Sequence, residues 1–269
     1  MSPTVPTLPY TVNCSLLFTE LPLLQRPAAA RAAGFDAVEF WWPFERAVPA
    51  DSEVDAFTAA IAEAGVRLTG LNLFAGRLPG PDRGVLSHPA RVQEVRDNLE
   101  VVVAIAERTG TTAFNALYGL RLEGVDAAEQ DETALLNTVT AAKALAQVGG
   151  TVLIEPISGA EDYPLRTAAD GAAFAARAHA AGAPNVALLA DLYHLAVNGD
   201  DVAAVVAERA AEIGHIQIAD APGRGEPGTG DLPLLDLLAT AQAGGYSGYV
   251  GLEYRPSGSS ADSFAWLRA

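Results

Sequence analysis

The feature that most constrains the fold is an alternation of short apolar segments with longer helical segments, repeated eight times along the 269 residues. The apolar segments are rich in Val, Ile and Leu, as the buried strands of a parallel sheet are. Most of the helical segments end close to a glycine, which favours a helix C-cap. The predicted strands are residues 11–17, 37–40, 66–73, 112–116, 151–155, 186–191, 213–219 and 249–253.

Eight strand–helix units with short connections predict a closed (β/α)8 barrel, an α/β fold of the TIM type. An open, doubly wound sheet is the alternative, but such a sheet usually carries a glycine-rich phosphate fingerprint near its first strand, and this chain has none there. No linker interrupts the alternation, so we predict one domain over residues 1–269. The predicted helices are residues 21–33, 53–64, 131–147, 170–181, 201–211, 232–243 and 262–267, and one that Ser87 caps and that extends to about residue 109.

The charge balance narrows the choice of partners. The chain has 33 acidic residues against 17 Lys and Arg, a formal net charge of −16. Proteins that bind nucleic acid or anionic membranes need a basic face, so we expect neither partner. No apolar run reaches the ~18 residues of a membrane span, and the N-terminal segment lacks the regions of a signal peptide, which predicts a soluble, cytoplasmic protein. Cys14 is the only cysteine, which excludes an internal disulfide and a Cys-based zinc site.

Polar side chains stand at the ends of four consecutive predicted strands in the second half of the chain. In order they are Glu155, Asp191, Gln217 and Glu253. Because side chains alternate along a strand, the apolar Ile216 and Ile218 face the helices and Gln217 faces into the barrel. The C-terminal ends of the strands carry the active site in barrels of this type, so we predict the site at this rim.

Three carboxylates at one rim repel each other at neutral pH unless a cation compensates their charge. Three carboxylates and one amide oxygen form an all-oxygen ligand set, which suits Mg²⁺ or Mn²⁺ better than Zn²⁺ or copper. The alternative is that the acids are unrelated and that each pairs with Arg or Lys.

Arg224 lies in the Gly/Pro-rich loop after the seventh strand, above the predicted metal site. A guanidinium can bind a carboxylate through two parallel hydrogen bonds, so we predict that Arg224 binds an acidic substrate. The alternative is an ion pair with Glu226 in the same loop.

Further candidates surround the rim. His194 follows Asp191 by three residues and is expected to donate to a substrate oxygen or to orient Asp191; a structural histidine at a helix start is the alternative. His215 lies deeper and is expected to have a packing or hydrogen-bonding role. Residues at other strand ends either line the pocket or tie the rim together: Asn72, Glu39 and Asn115. Three aromatic residues are candidates for the pocket wall: Trp41, Trp42 and Phe74.

These residues lie in motifs that resemble the hydroxypyruvate isomerase family, within the xylose-isomerase-like barrels. The most specific segment is GHIQIADAPGRGEPGTGD at 214–231. Supporting segments are NLFAG at 72–76, RG at 83–84, IEPI at 154–157, DLYH at 191–194 and VGLEYRP at 250–256. They occur in the same order over nearly the whole chain, so the resemblance implies the same barrel.

The resemblance also implies roles for the strand-end residues. The metal-binding positions of the family correspond to Glu155, Asp191, Gln217 and Glu253, and the two glutamates also correspond to its catalytic acid/base pair. Related ketose 3-epimerases usually have histidine at the position of Gln217, which favours the hydroxypyruvate isomerase branch. The chain departs from the family at Ser158, where asparagine is common, and at Leu71, where a histidine is frequent. Both departures bear on the substrate.

The implied reaction interconverts hydroxypyruvate and tartronate semialdehyde (2-hydroxy-3-oxopropanoate) by proton transfer through an enediolate, using two glutamates. The alternatives are isomerisation of 2-oxo-tetronate or another small keto-acid, epimerisation of a ketose, and metal-dependent dehydration. A multi-zinc barrel nuclease and a non-catalytic binding protein rank lower. We expect a small keto-acid as the partner, and a homo-oligomer is possible.

Overall fold

Eight parallel strands form a closed barrel in which each strand pairs with its neighbours in sequence and the last pairs with the first. The structure is a computed structural model that describes residues 7–268. It confirms the predicted TIM barrel. The strands are β1 (Tyr10–Asn13), β2 (Ala37–Phe40), β3 (Arg67–Asn72), β4 (Ala113–Asn115), β5 (Thr151–Ile154), β6 (Val186–Asp191), β7 (Ile213–Ile218) and β8 (Val250–Leu252).

Helices surround the barrel and connect successive strands. They are α1 (Arg26–Ala32), α2 (Asp51–Ala64), α3 (Val92–Thr109), α4 (Ala127–Ala146), α5 (Ala168–Ala180), α6 (Leu192–Asn198), α7 (Val202–Glu208) and α8 (Leu234–Ala243). Short 3₁₀ segments add Leu23–Gln25, Pro89–Arg91, Ala210–Glu212 and Asp262–Arg268. Within the described residues, no helix combines the length and the apolar character needed to cross a membrane. Residues 1–6, which belong to the segment considered above for a signal peptide, lie outside the described part of the chain.

Two predicted helix starts are wrong, and local hydrogen bonds give the reason. Ser87 does not cap a helix, because it is buried and its hydroxyl accepts from Gln130 Nε2 at 3.4 Å. A 3₁₀ turn follows instead, and α3 begins after it. The next helix, α4, begins four residues before the predicted position because Asp126 caps it and accepts N–H bonds from Ala128 and Glu129. A side-chain oxygen of this kind satisfies helix N–H groups that have no partner within the helix.

The first strand is shorter than predicted, and a helix follows the sixth strand. Asn13 ends β1 because its side chain accepts the Ser15 N–H at 3.0 Å and its carbonyl accepts the Leu17 N–H, which turns the chain. Asp191 ends β6 and caps α6, which closes at Gly199 in the left-handed conformation. The predicted helix over 201–211 is α7 followed by a 3₁₀ turn.

The helices pack on the outer face of the barrel through apolar stripes. In α3 the buried residues include Val95, Leu99, Val102 and Ile105, whose spacing of three to four places them on one helix face. Each such side chain contributes roughly 1.5–3 kcal/mol when it is fully removed from water. The outward side chains of β7, Ile216 and Ile218, are fully buried beneath the helices.

Strand register brings the inward-facing polar residues into adjacent positions. Asn13 of β1 lies opposite Glu39 of β2, and Asp191 of β6 lies opposite Gln217 of β7. Gln217 in turn lies opposite Gly251 of β8. These residues come from distant parts of the chain, so the closure of the barrel determines which of them meet at the C-terminal rim.

Candidate active site

The four side chains predicted at the strand ends are all buried at the C-terminal rim. Asp191 is the last residue of β6 and Gln217 lies inside β7, whereas Glu155 and Glu253 directly follow β5 and β8. Their exposed fractions are 5% or less. A buried carboxylate needs a compensating charge or hydrogen bonds, so the surroundings of each acid decide what the site can do.

Asp191 interacts with the start of α6, with His194 and with Arg224. One carboxylate oxygen caps α6 by accepting the N–H groups of Tyr193 and His194. The other oxygen lies 3.6 Å from His194 Nε2 and 3.5 Å from Arg224 Nη2. Together, Glu155, Asp191 and His194 each offer one ligand atom within 4.8 Å of the others, a cluster that could hold a metal ion. The rim is therefore a site of concentrated negative charge with one cation beside it.

The two glutamates are held by neutral donors as well as by charge. Asn115 Nδ2 donates to Glu155 at 2.6 Å. Glu253 accepts from Trp41 Nε1 at 2.5 Å and from Asn13 Nδ2 at 3.3 Å. Asn115 thus ties the rim together, one of the two roles predicted for it. Trp41 belongs to the pocket wall as predicted and also orients a carboxylate.

Both glutamates have a raised pKa. Burial is the largest cause for Glu155, and the charge of Asp191 adds to it, raising its pKa to about 8. Burial also raises the pKa of Glu253 well above its ordinary value, against the opposing effect of Arg224 and with the help of Glu155. A carboxyl group with a raised pKa can both accept and donate a proton near neutral pH, which is the property required of a general acid/base.

His194 is a neutral hydrogen-bond donor in this arrangement. Burial lowers its pKa to about 4, although the charge of Asp191 opposes the shift. Its Nδ1 accepts the backbone N–H of Ser158 at 3.0 Å and contacts the Ser158 hydroxyl at 2.7 Å. A ring nitrogen that accepts an N–H carries no proton, so the proton of the neutral ring is on Nε2. That nitrogen lies on the side of Glu155 and Asp191 and suits a hydrogen-bond donor better than a metal ligand.

Arg224 pairs with the rim acids and not with Glu226. Its Nη2 lies 3.0 Å from Glu253 Oε2 and its guanidinium lies over the ring of Tyr193. Burial lowers the pKa of Arg224, but Glu253, Asp191 and Glu155 outweigh this effect and raise it overall. Glu226 instead accepts the N–H and hydroxyl of Ser257 in the following loop. The ion pair that was the alternative prediction is therefore not formed.

Asp220 organises the loop that presents Arg224, and sequence reasoning assigned it no role. It is fully buried, and its carboxylate accepts the N–H groups of Ala221, Gly228 and Leu232 at 2.8–3.0 Å. Arg224 itself has a φ of 61°, a left-handed conformation that is unfavourable for a residue with a Cβ. The available signal was an acid placed directly after a buried strand, at the start of a Gly-rich turn.

A cavity of about 320 Å³ opens above the rim. This volume suits a small molecule. Glu155, Glu253, His194, Arg224 and Asn72 all line it, as predicted for pocket residues. Two further guanidinium groups, Arg83 and Arg255, line it as well.

The charge of these two arginines is not compensated by an acid. Within the described part of the chain, Arg83 donates only to the backbone carbonyls of Gly80 and Asp82. Among the described residues, neither Arg83 nor Arg255 pairs with a carboxylate. The two arginines therefore give the cavity wall a positive charge that is free to act on a bound molecule.

The rim fits a hard divalent cation. It offers three carboxylates, and Gln217 Oε1 is a buried acceptor that has no hydrogen-bond partner among the described residues. A buried acceptor without a partner is unfavourable, and coordination to a cation would satisfy it. Burial raises the pKa of Glu155 and Glu253, and neighbouring carboxylates add to the rise, so a cation at the rim would favour the ionised form of both.

Comparison with known families agrees with the barrel fold. Residues 27–269 match the model of the xylose isomerase-like TIM barrel family. A Streptomyces coelicolor protein, named provisionally as a hydroxypyruvate isomerase, is 54% identical over 266 residues, which cover 97% of this chain and 95% of that protein. A Cupriavidus necator protein named 2-oxo-tetronate isomerase is 33% identical over 264 residues, covering 96% and 97% of the two chains.

A solved structure has the same fold over nearly its full length. It is a Brucella melitensis protein named AP endonuclease, family 2, and it superposes with a TM-score of 0.88 at 30% sequence identity. The match covers 97% of this chain and 98% of the other.

Proposed function

This chain belongs to the xylose isomerase-like TIM barrel family, and from that premise we propose that it interconverts hydroxypyruvate and tartronate semialdehyde (2-hydroxy-3-oxopropanoate). Its relatives named hydroxypyruvate isomerase and 2-oxo-tetronate isomerase make it an isomerase of small sugars or keto-acids. One observation carries the specific proposal. Glu155 and Glu253 are buried on the wall of one cavity, and both have a raised pKa.

Two such carboxyl groups can transfer a proton between adjacent carbons. One carboxylate removes a proton from C3 of hydroxypyruvate, next to the carbonyl, and leaves an enediolate. The other carboxyl group delivers a proton to C2, and the hydroxyl proton moves from O3 to O2. The product is an isomer, with no atom gained or lost. Positioned acid/base groups contribute about 10²–10⁴-fold to rate in reactions of this kind.

We propose that Glu155, Asp191, Gln217 and Glu253 hold a divalent metal ion, Mg²⁺ or Mn²⁺. When bound, the ion supplies a Lewis acid that stabilises negative charge on the substrate oxygens. The orphaned Gln217 Oε1 supports this assignment. His194 is left outside the set because its Nδ1 is occupied by Ser158, so its Nε2–H is available to donate to a substrate oxygen.

The arginines of the cavity support an acidic substrate. A protein of net charge −16 repels small anions at long range. Local positive charge at Arg83, Arg224 and Arg255 on the cavity wall offsets that repulsion at the position where the substrate would bind. We propose that Arg224 contacts the substrate carboxylate, with Asn72 beside it. Glu253 and Asp191 offset part of the charge of Arg224. Arg83 and Arg255 therefore provide the positive charge that remains available for the substrate carboxylate.

Isomerisation of 2-oxo-tetronate is the second candidate, because the Cupriavidus necator relative bears that name. It uses the same acid/base pair and needs space for one more carbon. Dehydration by the same metal site ranks below it, and release of water would distinguish it. The name of the Brucella melitensis structure points to nuclease activity as another alternative. A multi-zinc nuclease needs several histidines and a basic groove, whereas His194 is the one histidine lining this cavity and the chain is strongly acidic.

The test is a proton NMR assay of purified protein with hydroxypyruvate and with 2-oxo-tetronate, each with EDTA and after Mg²⁺ or Mn²⁺ is restored. We expect conversion of hydroxypyruvate to tartronate semialdehyde, loss of conversion in EDTA, and recovery with either ion. Faster conversion of 2-oxo-tetronate would favour the second candidate. Full activity in EDTA would remove the metal from the proposal.

The remaining features of the proposal concern the protein as a whole. We propose that residues 1–269 act as a single domain in the cytoplasm, on a small keto-acid, without nucleic acid or membrane partners. A homo-oligomer is compatible with this function, which does not depend on it.

A further inference from the structure

Glu39 is a buried carboxylate that the proposed proton transfers do not use. It lies on β2 inside the barrel, with an exposed fraction of 3%. Oε1 accepts from Gln217 Nε2 at 2.7 Å and from Asn13 Nδ2 at 3.0 Å. Oε2 contacts His215 Nε2 at 2.8 Å. Burial of a carboxylate is costly unless hydrogen bonds compensate it, and here the compensating groups come from β1 and β7.

Two glycines inside strands make room for this carboxylate. A Cβ at Gly251 of β8 would lie 2.6 Å from Glu39 Oε1 and 2.8 Å from Gln217 Cγ. A Cβ at Gly70 of β3 would lie 3.2 Å from Glu39 Cβ and 3.3 Å from Oε2. Glycine weakens a strand interior, so its presence here indicates that a neighbouring group approaches closely. Gly70 of β3 and Gly251 of β8 therefore leave the space that Glu39 of β2 occupies.

The chemistry of Glu39 determines how the Gln217 amide is turned. Glu39 Oε1 accepts from the NH₂ group of the amide, so this group faces Glu39 and the amide oxygen faces away from it. The oxygen of Gln217 is thereby left as the free end, and it is a buried acceptor with no hydrogen-bond partner among the described residues. The same Asn13 amide that donates to Glu39 also donates to Glu253 at 3.3 Å.

We propose that Glu39 is a positioning residue for the divalent metal site. It fixes the amide of Gln217 with the oxygen free for the ion and, through Asn13, holds the carboxylate of Glu253. This inference rests on the metal set of the proposed function and goes beyond it by assigning a role to a residue that touches neither metal nor substrate. Groups that orient metal ligands in this way typically change metal affinity by about 10–100-fold when they are removed.

The test measures metal binding by titration calorimetry with Mn²⁺ and Mg²⁺, with no substrate present. We expect E39L to weaken the binding of both ions by roughly 10–100-fold. E39Q keeps an oxygen that accepts from Gln217 and should retain most of the affinity. T11V is the matched control, since Thr11 is a buried barrel residue whose hydroxyl bonds Thr69 and not Glu39. Unchanged affinity in a folded E39L protein would overturn the proposal.

A double-mutant cycle separates positioning from general damage. If Glu39 acts mainly through Gln217, E39L should add little to the loss of affinity caused by Q217L. Full additivity of the two losses would contradict that coupling. If E39L fails to unfold cooperatively on heating, G251A replaces it, because the added methyl displaces the same pair of side chains. Unchanged metal affinity in folded G251A would then overturn the proposal.

The readout also distinguishes this inference from the proposed function. A wild-type protein that binds the ions but does not isomerise hydroxypyruvate would reject the substrate and leave the role of Glu39 standing. A wild-type protein that binds neither Mn²⁺ nor Mg²⁺ would reject the role of Glu39.

Discussion

Glu155 and Glu253 show how much the function of a residue depends on its surroundings. Each is a carboxyl group at a strand end, and each is buried beside other acids, which raises its pKa. Arg224 offsets part of the charge without neutralising all of it. The pair is therefore suited to exchange protons near neutral pH, in contrast to an exposed glutamate that stays ionised.

Replacing either glutamate should abolish most of the turnover. We expect E155Q and E253Q each to lower kcat by at least ~10²-fold, because the amide neither accepts nor donates the transferred proton. Thermal unfolding should remain cooperative, since glutamine keeps the shape of the side chain. The exposed Glu161 in the same connection as Glu155 provides the control variant, E161Q, which should keep full activity. Near-normal kcat in either site variant would remove the two-carboxylate scheme.

The raised pKa of Glu155 predicts how stability depends on pH in the EDTA-treated protein. Folded Glu155 holds its proton up to about pH 8, whereas its ordinary pKa is 4.5. The folded state therefore binds more protons, and stability is present below the lower value and is lost as pH rises through the upper one. Each group contributes at most about 1.4 kcal/mol per pH unit.

The measurement is the Tm between about pH 7.5 and about pH 9. In this window the folded His194 ring is neutral because burial lowers its pKa to about 4, and the unfolded ring, with its ordinary pKa of 6.5, is largely neutral as well. The Tm should fall with rising pH in wild-type protein and fall less in E155Q. Equal slopes in the two proteins would contradict the assignment.

At the scale of secondary-structure elements, one acid, Asp220, holds the connection between β7 and α8 in its conformation. Asp220 gathers three N–H groups of this loop, and the loop places the backbone of Arg224 in a strained conformation. The carbonyl of Arg224 then accepts the N–H of Arg255, which joins the loop to the one after β8. Loop and strand ends thus form one hydrogen-bonded unit, which is why a glycine-rich segment can hold a side chain in place.

Substituting Asp220 should release Arg224 without touching the rim acids. We expect D220A to reduce kcat/KM by at least tenfold and to lower stability by roughly 1–3 kcal/mol, since three buried N–H groups lose their acceptor. Steady-state kinetics and chemical denaturation provide the two readouts. The exposed Asp236 on α8 supplies the control variant D236A, which should change neither. A D220A protein with normal kcat/KM would show that the loop holds Arg224 by other means.

At the scale of the whole molecule, the chain is strongly acidic, but part of the cavity wall carries positive charge. The net charge is −16, yet the cavity wall carries the guanidinium groups of Arg83 and Arg255 without a carboxylate partner among the described residues. Such an arrangement concentrates positive potential where a small anion would bind and leaves the rest of the surface repulsive to polyanions.

Removing these two charges should impair binding of the acid more than the chemical step. We expect R83A/R255A to raise the KM for hydroxypyruvate by at least ~10-fold while kcat changes little, because the proton transfers use other groups. Arg67 begins β3 at the opposite end of the barrel and gives the control R67A. An unchanged KM in the double variant would contradict the anion-binding role.

The sequence by itself determined the barrel and the rim residues. Strand periodicity, apolar runs and glycines at helix ends are local features, so they can be recognised in the sequence without knowledge of tertiary contacts. The positions of Glu155, Asp191 and Glu253 follow from counting to the end of each strand, and that of Gln217 follows from the alternation of side chains near the end of the seventh strand. Predicted helix boundaries were weaker because caps such as Asp126 compete with propensity over a few residues.

Only the tertiary structure decided which groups act on which. Glu39 bonds Gln217 from 178 positions away, and Asn13 reaches Glu253 across 240 positions. The choice of Glu253 over Glu226 as the partner of Arg224, and of Ser158 as the partner of His194, likewise depends on loops meeting above the rim. No local pattern encodes these pairs, because barrel closure and strand register bring them together and burial then sets their charges.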